Sequence, residues 1–294
     1  MTEKTLRVRL LRPPILIAPG VYDGLTALVA EKAGFETLYL SGAAIAYTKL
    51  GRPDLGLVSM SEVADTVALI RDRVASHLIV DADTGYGNAL NVGRMMRLFE
   101  RTGANAVQME DQSFPKRCGH LDNKTLVPIE EMIGKIKAAL DARHSHETLL
   151  IARTDAIAVE GFERAMARAA AYRDAGADIL FVEAPKTRAE LERIPSSLKG
   201  RPLMANMVEG GETPLLNTTD LEALGFSLVI FPGGIVRALA RAAHDFYTSL
   251  AAQGSTGPFR NRMYDFNALN EVIGTPEMIA LGKRYEAAAT PGAR

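Results

Sequence analysis

The sequence lacks tryptophan and has one cysteine, Cys118, among its 294 residues. A single cysteine cannot form a disulfide within the chain, and the charged opening from Met1 to Arg12 contains no signal-peptide apolar core. Both features predict a cytoplasmic protein. The sequence also has no apolar run near the roughly 20 residues needed to span a bilayer, so we expect no membrane segment.

A surplus of charge of either sign is absent as well. The 34 basic residues nearly balance the 35 acidic ones, which leaves a net charge of −1. This balance gives no electrostatic reason to bind nucleic acid or an anionic membrane surface. With 47% hydrophobic and 23% charged residues, the composition is typical of a globular protein with a substantial core.

Short apolar runs alternate with longer amphipathic stretches along the whole sequence. The apolar runs predict eight strands, at residues 15–18, 37–40, 78–80, 106–109, 149–152, 179–182, 203–205 and 228–231. Helical stretches are expected between them, for example from Ser61, as the helix cap, to Val74. Strands that alternate with helices in this way predict an α/β fold, a (β/α)8 barrel that forms a single domain over residues 1–294.

An open, doubly wound sheet is the structural alternative to the barrel. It is disfavoured because no Gly-x-Gly-x-x-Gly turn follows the first strand. The residues from about 254 to 294 exceed what one barrel needs and include a predicted helix from Pro276 to Ala288. We expect this C-terminal helical extension to pack on a neighbouring subunit or to cover the barrel.

Polar side chains follow most of the predicted strands at the point where the strand ends. In a barrel these ends line the active site. The residues concerned are Ser41, Asp81, Asp83, Gln108, Glu110, Arg153, Glu183 and Asn206. Such a concentration of charge is difficult to explain by packing, because burying an isolated charge is costly.

Asp81, Asp83 and Glu110 form a candidate site for a hard divalent cation. Mg²⁺ suits a few carboxylates and several waters better than Ca²⁺ does. The alternative is that each carboxylate binds backbone amides or helix N-termini instead, which is more plausible for one residue than for three that converge.

Arg153 offers a planar pair of donors to a substrate carboxylate. The alternative is a structural salt bridge with Glu183 or Asp155, and the two roles are compatible. The segment from Ser41 to Ala44 is small enough to present backbone amides to another carboxylate, although its small residues could instead ease a turn.

Cys118 lies in the run Lys-Arg-Cys-Gly-His at 116–120. A thiol close to cations ionises more easily than usual, which suits a chemical role. The alternative is an inert cysteine of the core. The charged and flexible neighbours favour the chemical role.

Together these motifs resemble the isocitrate lyase and phosphoenolpyruvate mutase superfamily, especially its methylisocitrate lyase and 2,3-dimethylmalate lyase types. The resemblance extends from about Ile17 to Ala251. It rests on Lys-Arg-Cys-Gly-His at 116–120, Asp-Ala-Asp-Thr-Gly-Tyr-Gly at 81–87, Glu-Asp-Gln at 110–112 and Pro-Asp-Leu-Gly at 53–56. It implies a (β/α)8 barrel whose last helix is swapped between subunits, a homotetramer built as a dimer of dimers, and a Mg²⁺ cofactor, with Mn²⁺ as a possible substitute.

The resemblance also implies roles for individual residues. Asp83 is implied as the principal metal ligand, with Asp81, Glu110 and Asp54 acting directly or through water. Cys118 is implied as the proton donor and Tyr39 as the base. Residues implied to bind the substrate are Ser41, Gly42, Ala43, Gly119, His120, Arg153, Glu183 and Asn206.

The expected reaction is cleavage of a carbon–carbon bond in a 2-hydroxy or 2-oxo dicarboxylic acid. Gln108 and the segments 206–211 and 232–234 depart from the methylisocitrate lyase pattern, which favours a substrate of the alkylmalate type over methylisocitrate itself. Within the superfamily, the alternatives are an oxaloacetate hydrolase or decarboxylase and a carboxyphosphonoenolpyruvate or phosphoenolpyruvate mutase. Outside the enzymes, the alternative is a barrel that only binds a metabolite.

Overall fold

The computed structural model describes residues 5–119, 121 and 123–289. Eight parallel strands form a closed barrel in sequence order, and β1 pairs with both β2 and β8. The strands are β1 (Leu16–Val21), β2 (Thr37–Leu40), β3 (His77–Asp81), β4 (Ala106–Glu110), β5 (Leu149–Thr154), β6 (Ile179–Val182), β7 (Leu203–Asn206) and β8 (Leu228–Phe231). The predicted (β/α)8 barrel is therefore confirmed, and the open sheet is excluded.

Each of the eight predicted strands is present, and β1 extends three residues beyond its predicted end at Ala18. The prediction ends at Ala18 because proline and glycine, here Pro19 and Gly20, normally break a strand. In the structure Pro19 pairs with Phe231 of β8. Gly20 lies so close to the backbone after β8 that a Cβ atom would be 2.1 Å from the Pro232 carbonyl oxygen. The glycine therefore allows a close approach within the barrel wall.

The described residues also form α-helices, which lie before, between and after the strands in the chain. They are α1 (Leu6–Arg9), α2 (Gly24–Lys32), α3 (Gly42–Ile45), α4 (Met60–Arg71), α5 (Ala89–Thr102), α6 (Ile129–Ala142), α7 (Ile157–Glu160), α8 (Phe162–Asp174), α9 (Arg188–Ser197), α10 (Thr218–Leu224), α11 (Gly234–Gln253), α12 (Phe266–Ile273) and α13 (Thr275–Ala289). A π-helical turn, Ala46–Leu50, follows α3, and a 3₁₀ helix, Gly257–Arg262, follows α11.

The predicted cap of α4 is wrong by two residues. Ser59, rather than Ser61, caps the helix, and its hydroxyl accepts a hydrogen bond from the Glu62 backbone N–H at 3.3 Å. The Glu62 carboxylate accepts one in return from the Ser59 N–H at 2.8 Å. This reciprocal capping box satisfies two donors at the helix start, which a cap at Ser61 would leave unsatisfied.

Two apolar layers hold the barrel together. One lies between the strands and the surrounding helices, and it includes Val80, Val107 and Leu150. The other fills the interior of the barrel, and it includes Ile79, Ala106 and Ile151 together with Leu6 and Leu10 near the start of the chain. Successive side chains of a strand enter the two layers alternately, so membership of the inner layer identifies the side chains that face the barrel axis.

The described residues divide into two compact units, the first ending at Val236 and the second beginning at Arg237. The second unit contains most of α11 and all later helices, including residues 254–289. Within it, Asp245 pairs with Arg241 and Arg262, each at 3.0 Å. Among the described residues, we find no helix long and apolar enough to cross a membrane.

Candidate active site

The polar residues at the strand ends face the barrel axis because they continue the interior alternation. Ile79 and Ile151 lie inside the barrel, so the residues two positions later, Asp81 and Arg153, point the same way at its C-terminal end. The same spacing of two places further polar residues on the inner face. Gln108 and Glu110 follow Ala106 in this way, Glu183 follows Phe181, and Asn206 follows Met204. The strand ends therefore form the polar floor of a site.

Arg153 lies at the centre of this floor and is buried. Its Nε and Nη2 atoms donate to the two Asp155 oxygens, each at 3.0 Å. Its Nη1 atom is 3.4 Å from Glu110 Oε2 and 3.7 Å from Glu183 Oε2. The salt bridges with Asp155 and Glu183, given above as the alternative role of Arg153, are thus both present. Because a guanidinium has five N–H donors and two bind Asp155, donors remain for an anionic substrate.

Glu183 and Asn206 are in direct contact. The Asn206 side-chain amide donates to both Glu183 oxygens, at 3.3 and 3.1 Å. Asn206 Oδ1 is buried and has no hydrogen-bond partner among the described residues. This oxygen is therefore available as an acceptor next to Glu183.

Beneath the site, a buried hydrogen-bonded chain connects three strands. The Tyr39 hydroxyl donates to Gln108 Oε1 at 2.7 Å, and Gln108 Nε2 donates to Asp81 Oδ1 at 3.3 Å. Burial raises the pKa of Tyr39 well above its usual value, and the Asp81 carboxylate raises it further. Tyr39 is consequently a neutral phenol in this structure.

The segment from Ser41 to Ala43 lies at the edge of the same floor. Ser41 caps the short helix α3 by accepting a hydrogen bond from the Ala44 N–H at 3.2 Å. The Gly42 N–H donates to Asp81 Oδ2 at 3.3 Å. A Cβ atom on Gly42 would be 3.3 Å from oxygens of both Asp81 and Asp83. The small residues here thus allow the backbone to approach the two carboxylates closely.

Lys116 brings together Asp54 and Asp83, which come from different loops. Its buried ammonium is 2.5 Å from Asp54 Oδ1 and 2.7 Å from Asp83 Oδ1. Burial alone would lower the pKa of Lys116, but nearby carboxylates, Asp83 foremost, raise it well above its usual value. The neighbouring carboxylates therefore favour the charged form of Lys116, although no sequence pattern assigned it a separate role.

The charges of the site would suit an additional cation. Six buried carboxylates face three buried cations: Asp54, Asp81, Asp83, Glu110, Asp155 and Glu183 against Lys116, Lys124 and Arg153. Glu110 Oε1 has no hydrogen-bond partner in the described part of the chain. Burial and the neighbouring carboxylates raise the pKa of Asp83 to about 7, although Lys116 acts to lower it. Burial and neighbouring carboxylates also raise the pKa of Glu110 well above its usual range, although Arg153 acts to lower it.

These features fit a hard cation with oxygen ligands, since the donors are carboxylates that lack enough positive charge. In the described residues, however, no three Asp, Glu, His or Cys side chains are already arranged to enclose a metal ion. The ammonium of Lys116 lies between two of the implied ligands instead. The implied metal ligands are therefore near one another without forming a complete coordination shell.

The loop that carries Cys118 is closed at its base. Gln112 forms two hydrogen bonds with Arg117, from Nε2 to the backbone carbonyl at 2.8 Å and from the Arg117 N–H to Oε1 at 2.9 Å. Gln112 also pairs with Leu126 in an antiparallel bridge. Cys118 itself is half-buried.

Gly119 places this loop directly against the polar floor. A Cβ atom at Gly119 would be 2.3 Å from Arg153 Nη2 and 2.7 Å from Glu183 Cγ. The Gly119 carbonyl accepts a hydrogen bond from Lys124 Nζ, which is 3.8 Å from Asp155 Oδ1. The thiol-bearing loop is thus next to the candidate substrate-binding residues, whereas His120 lies outside the described residues.

Lys116, Lys124 and Asp155 belong to the site although none was among the predicted site residues. Lys116 stands in the same motif as Cys118, and Asp155 follows Arg153 by the period-two spacing, so both had a signal in the sequence. Lys124 had none, because its position depends on how the loop folds back.

A comparison with known families finds the phosphoenolpyruvate phosphomutase model over residues 6–251. The chain belongs to the phosphoenolpyruvate mutase and isocitrate lyase superfamily. It is 39% identical to the 2,3-dimethylmalate lyase of Eubacterium barkeri, over 97% of this chain and 98% of that protein. It is 44% identical to the 2-methylisocitrate lyase of Aeropyrum pernix, over 92% of this chain and 86% of that protein. These relatives identify the chain as a carbon–carbon lyase of the superfamily.

Solved structures agree with this assignment. A crystal structure of 2,3-dimethylmalate lyase matches with a TM-score of 0.91 and 35% identity, covering 98% of this chain and 97% of that one. A phosphonopyruvate hydrolase in complex with oxalate and Mg²⁺ matches with a TM-score of 0.86 and 33% identity, covering 95% and 97%. The chain thus shares its barrel fold with these two proteins.

Proposed function

We propose that this superfamily member cleaves a 2-hydroxy dicarboxylic acid of the alkylmalate type, releasing pyruvate and a second carboxylate. The observation that carries the proposal is the contact of Gly119 with Arg153 and Glu183, because it brings the neighbouring Cys118 to the candidate substrate site. The 2,3-dimethylmalate lyase and the 2-methylisocitrate lyase described above support the reaction class.

Cleavage begins when the hydroxyl proton on C2 passes to a base. Tyr39, the candidate for this role, could act only after losing its own proton, because a neutral phenol is too weak a base to accept one. The C2–C3 bond then breaks, C2 becomes the carbonyl carbon of pyruvate, and the bonding electron pair stays on C3 beside a carboxylate. Cys118 Sγ donates a proton to C3, which completes the second product. Arg153 binds a substrate carboxylate through donors that Asp155 leaves available.

The proposal includes Mg²⁺, for which Mn²⁺ could substitute. Asp83 would be the principal ligand, with Asp81, Glu110 and Asp54 acting directly or through water. When bound, Mg²⁺ supplies positive charge where the substrate oxygens become more negative. The excess of buried carboxylates and the unpartnered Glu110 Oε1 support this assignment.

The loop after β7 places a carboxylate at the start of the helix that follows β8. Glu209 lies there, and its Oε1 is 3.2 Å from the position that a Cβ atom of Gly234 would occupy at the start of α11. A helix start attracts anions, and here a side-chain carboxylate is already beside it. The preference for alkylmalates over methylisocitrate therefore rests on the departures from the methylisocitrate lyase pattern at Gln108 and in segments 206–211 and 232–234.

The test is an assay of the purified chain with Mg²⁺ on 2,3-dimethylmalate, other alkylmalates, 2-methylisocitrate, oxaloacetate and phosphonopyruvate. We expect pyruvate from alkylmalates at a higher kcat/KM than from methylisocitrate. Oxalate from oxaloacetate, without cleavage of any malate, would identify a hydrolase instead. Turnover restricted to phosphonates would identify a mutase or phosphonate hydrolase. Binding of oxalate without any turnover would indicate a metabolite-binding barrel.

A further inference from the structure

Gln108 is fully buried and connects Tyr39 to Asp81 beneath the candidate site. Its side-chain amide has one end that accepts hydrogen bonds and one that donates them. The direction of this amide therefore decides whether the Tyr39 hydroxyl must donate its proton or accept one.

Asp81 fixes that direction. Its carboxylate accepts hydrogen bonds from the Asp83 N–H at 3.2 Å and the Gly42 N–H at 3.3 Å, as well as from Gln108 Nε2 at 3.3 Å. Oδ1 thus acts as an acceptor towards the Asp83 N–H, and Oδ2 acts as an acceptor towards the Gly42 N–H. Reversing the amide would place its carbonyl oxygen 3.3 Å from a carboxylate oxygen in a buried position, which is strongly unfavourable.

With its carbonyl oxygen turned away from Asp81, Gln108 requires a donor on its other side. Tyr39 supplies its single hydroxyl proton at 2.7 Å. The phenolic oxygen is then left with lone pairs, so it can only accept a hydrogen bond from a third group. The charges of Arg153 and Glu110 act on this hydroxyl, which is consistent with its position at the floor of the site.

We infer that Gln108 is a positioning residue that makes Tyr39 an acceptor, and that it thereby selects 2-hydroxy acids over 2-oxo acids. A 2-hydroxyl group donates a hydrogen bond to Tyr39, whereas a 2-oxo group offers only lone pairs and meets an acceptor. The inference rests on the proposed function in one respect, namely that the C2 oxygen of the substrate contacts Tyr39. It also implies that the product loses this hydrogen bond as the carbonyl forms, which favours release.

The test measures binding rather than turnover, so that it remains informative if the proposed reaction is wrong. Lactate and pyruvate are suitable probes because they differ only in the hydroxyl or oxo group at C2. Their dissociation constants are measured by calorimetry with Mg²⁺ for the parent chain and for Gln108→Met, Gln108→Glu and Tyr39→Phe. Circular dichroism checks that each variant is folded.

The parent should prefer lactate. Gln108→Met removes the acceptor, so the Tyr39 hydroxyl can donate its proton to the ligand instead. The ratio of the dissociation constants of lactate and pyruvate should then shift by about tenfold in favour of pyruvate, as expected for one hydrogen bond. Gln108→Glu offers Tyr39 an acceptor in either protonation state and should keep the preference. This rescue would not occur if Gln108 merely filled space.

Tyr39→Phe should also lose the preference, and adding Gln108→Met to it should cause no further change in the ratio. The inference would be overturned if folded Gln108→Met kept the parent ratio of dissociation constants. It would also be overturned if Gln108→Glu lost the preference for lactate as fully as Gln108→Met does. If Gln108→Met does not fold, the decision rests on Tyr39→Phe: a variant that still prefers lactate to pyruvate overturns the inference. A chain that shows these ratios but cleaves no alkylmalate would contradict the proposed function and leave the inference standing.

Discussion

At the residue scale, the site depends on a few side chains that balance buried carboxylates. Lys116 and Arg153 supply positive charge from two directions, and each contacts at least two acidic residues. Removing one partner of such a group leaves another buried charge uncompensated. Single substitutions in this set should therefore affect binding and catalysis more than their size suggests.

Asp83→Ala removes the proposed principal metal ligand. We expect it to abolish lyase turnover and Mg²⁺-dependent binding of oxalate, because a coordinating carboxylate is lost. Calorimetry with oxalate, in the presence and absence of Mg²⁺, measures the effect. Asp141→Ala, which changes an exposed carboxylate on α6, is the matched control and should behave as the parent. Near-normal turnover of Asp83→Ala would show that the metal assignment is wrong.

Cys118→Ser tests the proposed proton donor. The substitution keeps the size of the side chain but provides a much weaker acid, so turnover of alkylmalates should fall by on the order of 10²-fold. Oxalate binding with Mg²⁺ should be retained, because Cys118 is not a proposed ligand. Steady-state kinetics and calorimetry separate the two effects. Full activity of the variant on every substrate would exclude the thiol as the donor.

Gly119→Ala tests the contact between the loop and the floor. The added methyl group would overlap Arg153 Nη2 and Glu183 Cγ, so the loop must move away from the site. A displacement of this size should reduce kcat by on the order of 10²-fold.

Gly134→Ala is the control for this substitution, because Gly134 lies in α6 and a methyl group added there would meet open space. It should leave kcat unchanged and stabilise the fold by about 0.5–1 kcal/mol. Equal kcat in the two variants would contradict the proposed position of the loop during catalysis.

At the scale of elements, two glutamates connect helix ends to the loops that precede strands. Glu31, in the last turn of α2, accepts hydrogen bonds from the Ala75 N–H and the Ser76 N–H, both at 2.7 Å, before β3. Glu100, near the end of α5, accepts them from the His144 N–H at 2.6 Å and the Ser145 N–H at 2.7 Å, before β5. Both contacts lie at the N-terminal end of the barrel, away from the site.

Glu100→Gln should lower the free energy of unfolding by about 1 kcal/mol at neutral pH, because charged acceptors form the stronger hydrogen bonds. Burial acts to raise the pKa of Glu100, but these hydrogen bonds and the one from Thr148 lower it overall. The stabilisation is therefore present above the unfolded pKa of about 4.3 and is lost as pH falls through the lower folded pKa.

Urea unfolding of both proteins from pH 7 down to pH 3 measures this effect, and kcat/KM should not change. Glu147→Gln, in the same loop but exposed, is the control and should leave the unfolding midpoint unaltered. A stability difference that persists unchanged at the lowest pH would argue against a role for the charged form of Glu100.

At the scale of the whole molecule, the second unit has apolar side chains exposed on a helix face. Phe266, Leu269 and Ile273 follow the spacing of one face of α12 and are 84%, 41% and 40% exposed. We propose that a second copy of the chain covers this surface, as the helix swap and homotetramer implied by the superfamily would require.

Truncation after Gly254 removes this helix and tests the proposal. We expect a lower oligomeric mass in sedimentation experiments, together with reduced stability. Phe266→Ser and Ile273→Ser in the full chain should weaken assembly in the same direction, whereas Arg284→Ser on α13 is the control. A truncated chain that keeps the parent mass and full activity would exclude a role for these residues in assembly.

The sequence by itself determined the order of strands and helices, because each apolar run ends at turn residues and the amphipathic stretches between are long enough for helices. It also determined which strand-end residues share a face. The alternation that places Ile79 and Asp81 together needs only the geometry of a strand. For this reason the sequence alone predicts that Asp81, Gln108, Arg153 and Glu183 lie in one site.

The tertiary structure decided the contacts that cross between loops, since no local pattern specifies them. Lys116 reaches Asp54 across 62 positions of sequence, and the Tyr39 hydroxyl reaches Gln108 across 69. The direction of the Gln108 amide depends on the acceptor oxygen of Asp81, which comes from another strand. Sequence spacing fixes which face of its own strand a residue occupies, whereas closure of the barrel fixes which strands meet, and the chemistry of this site depends on both.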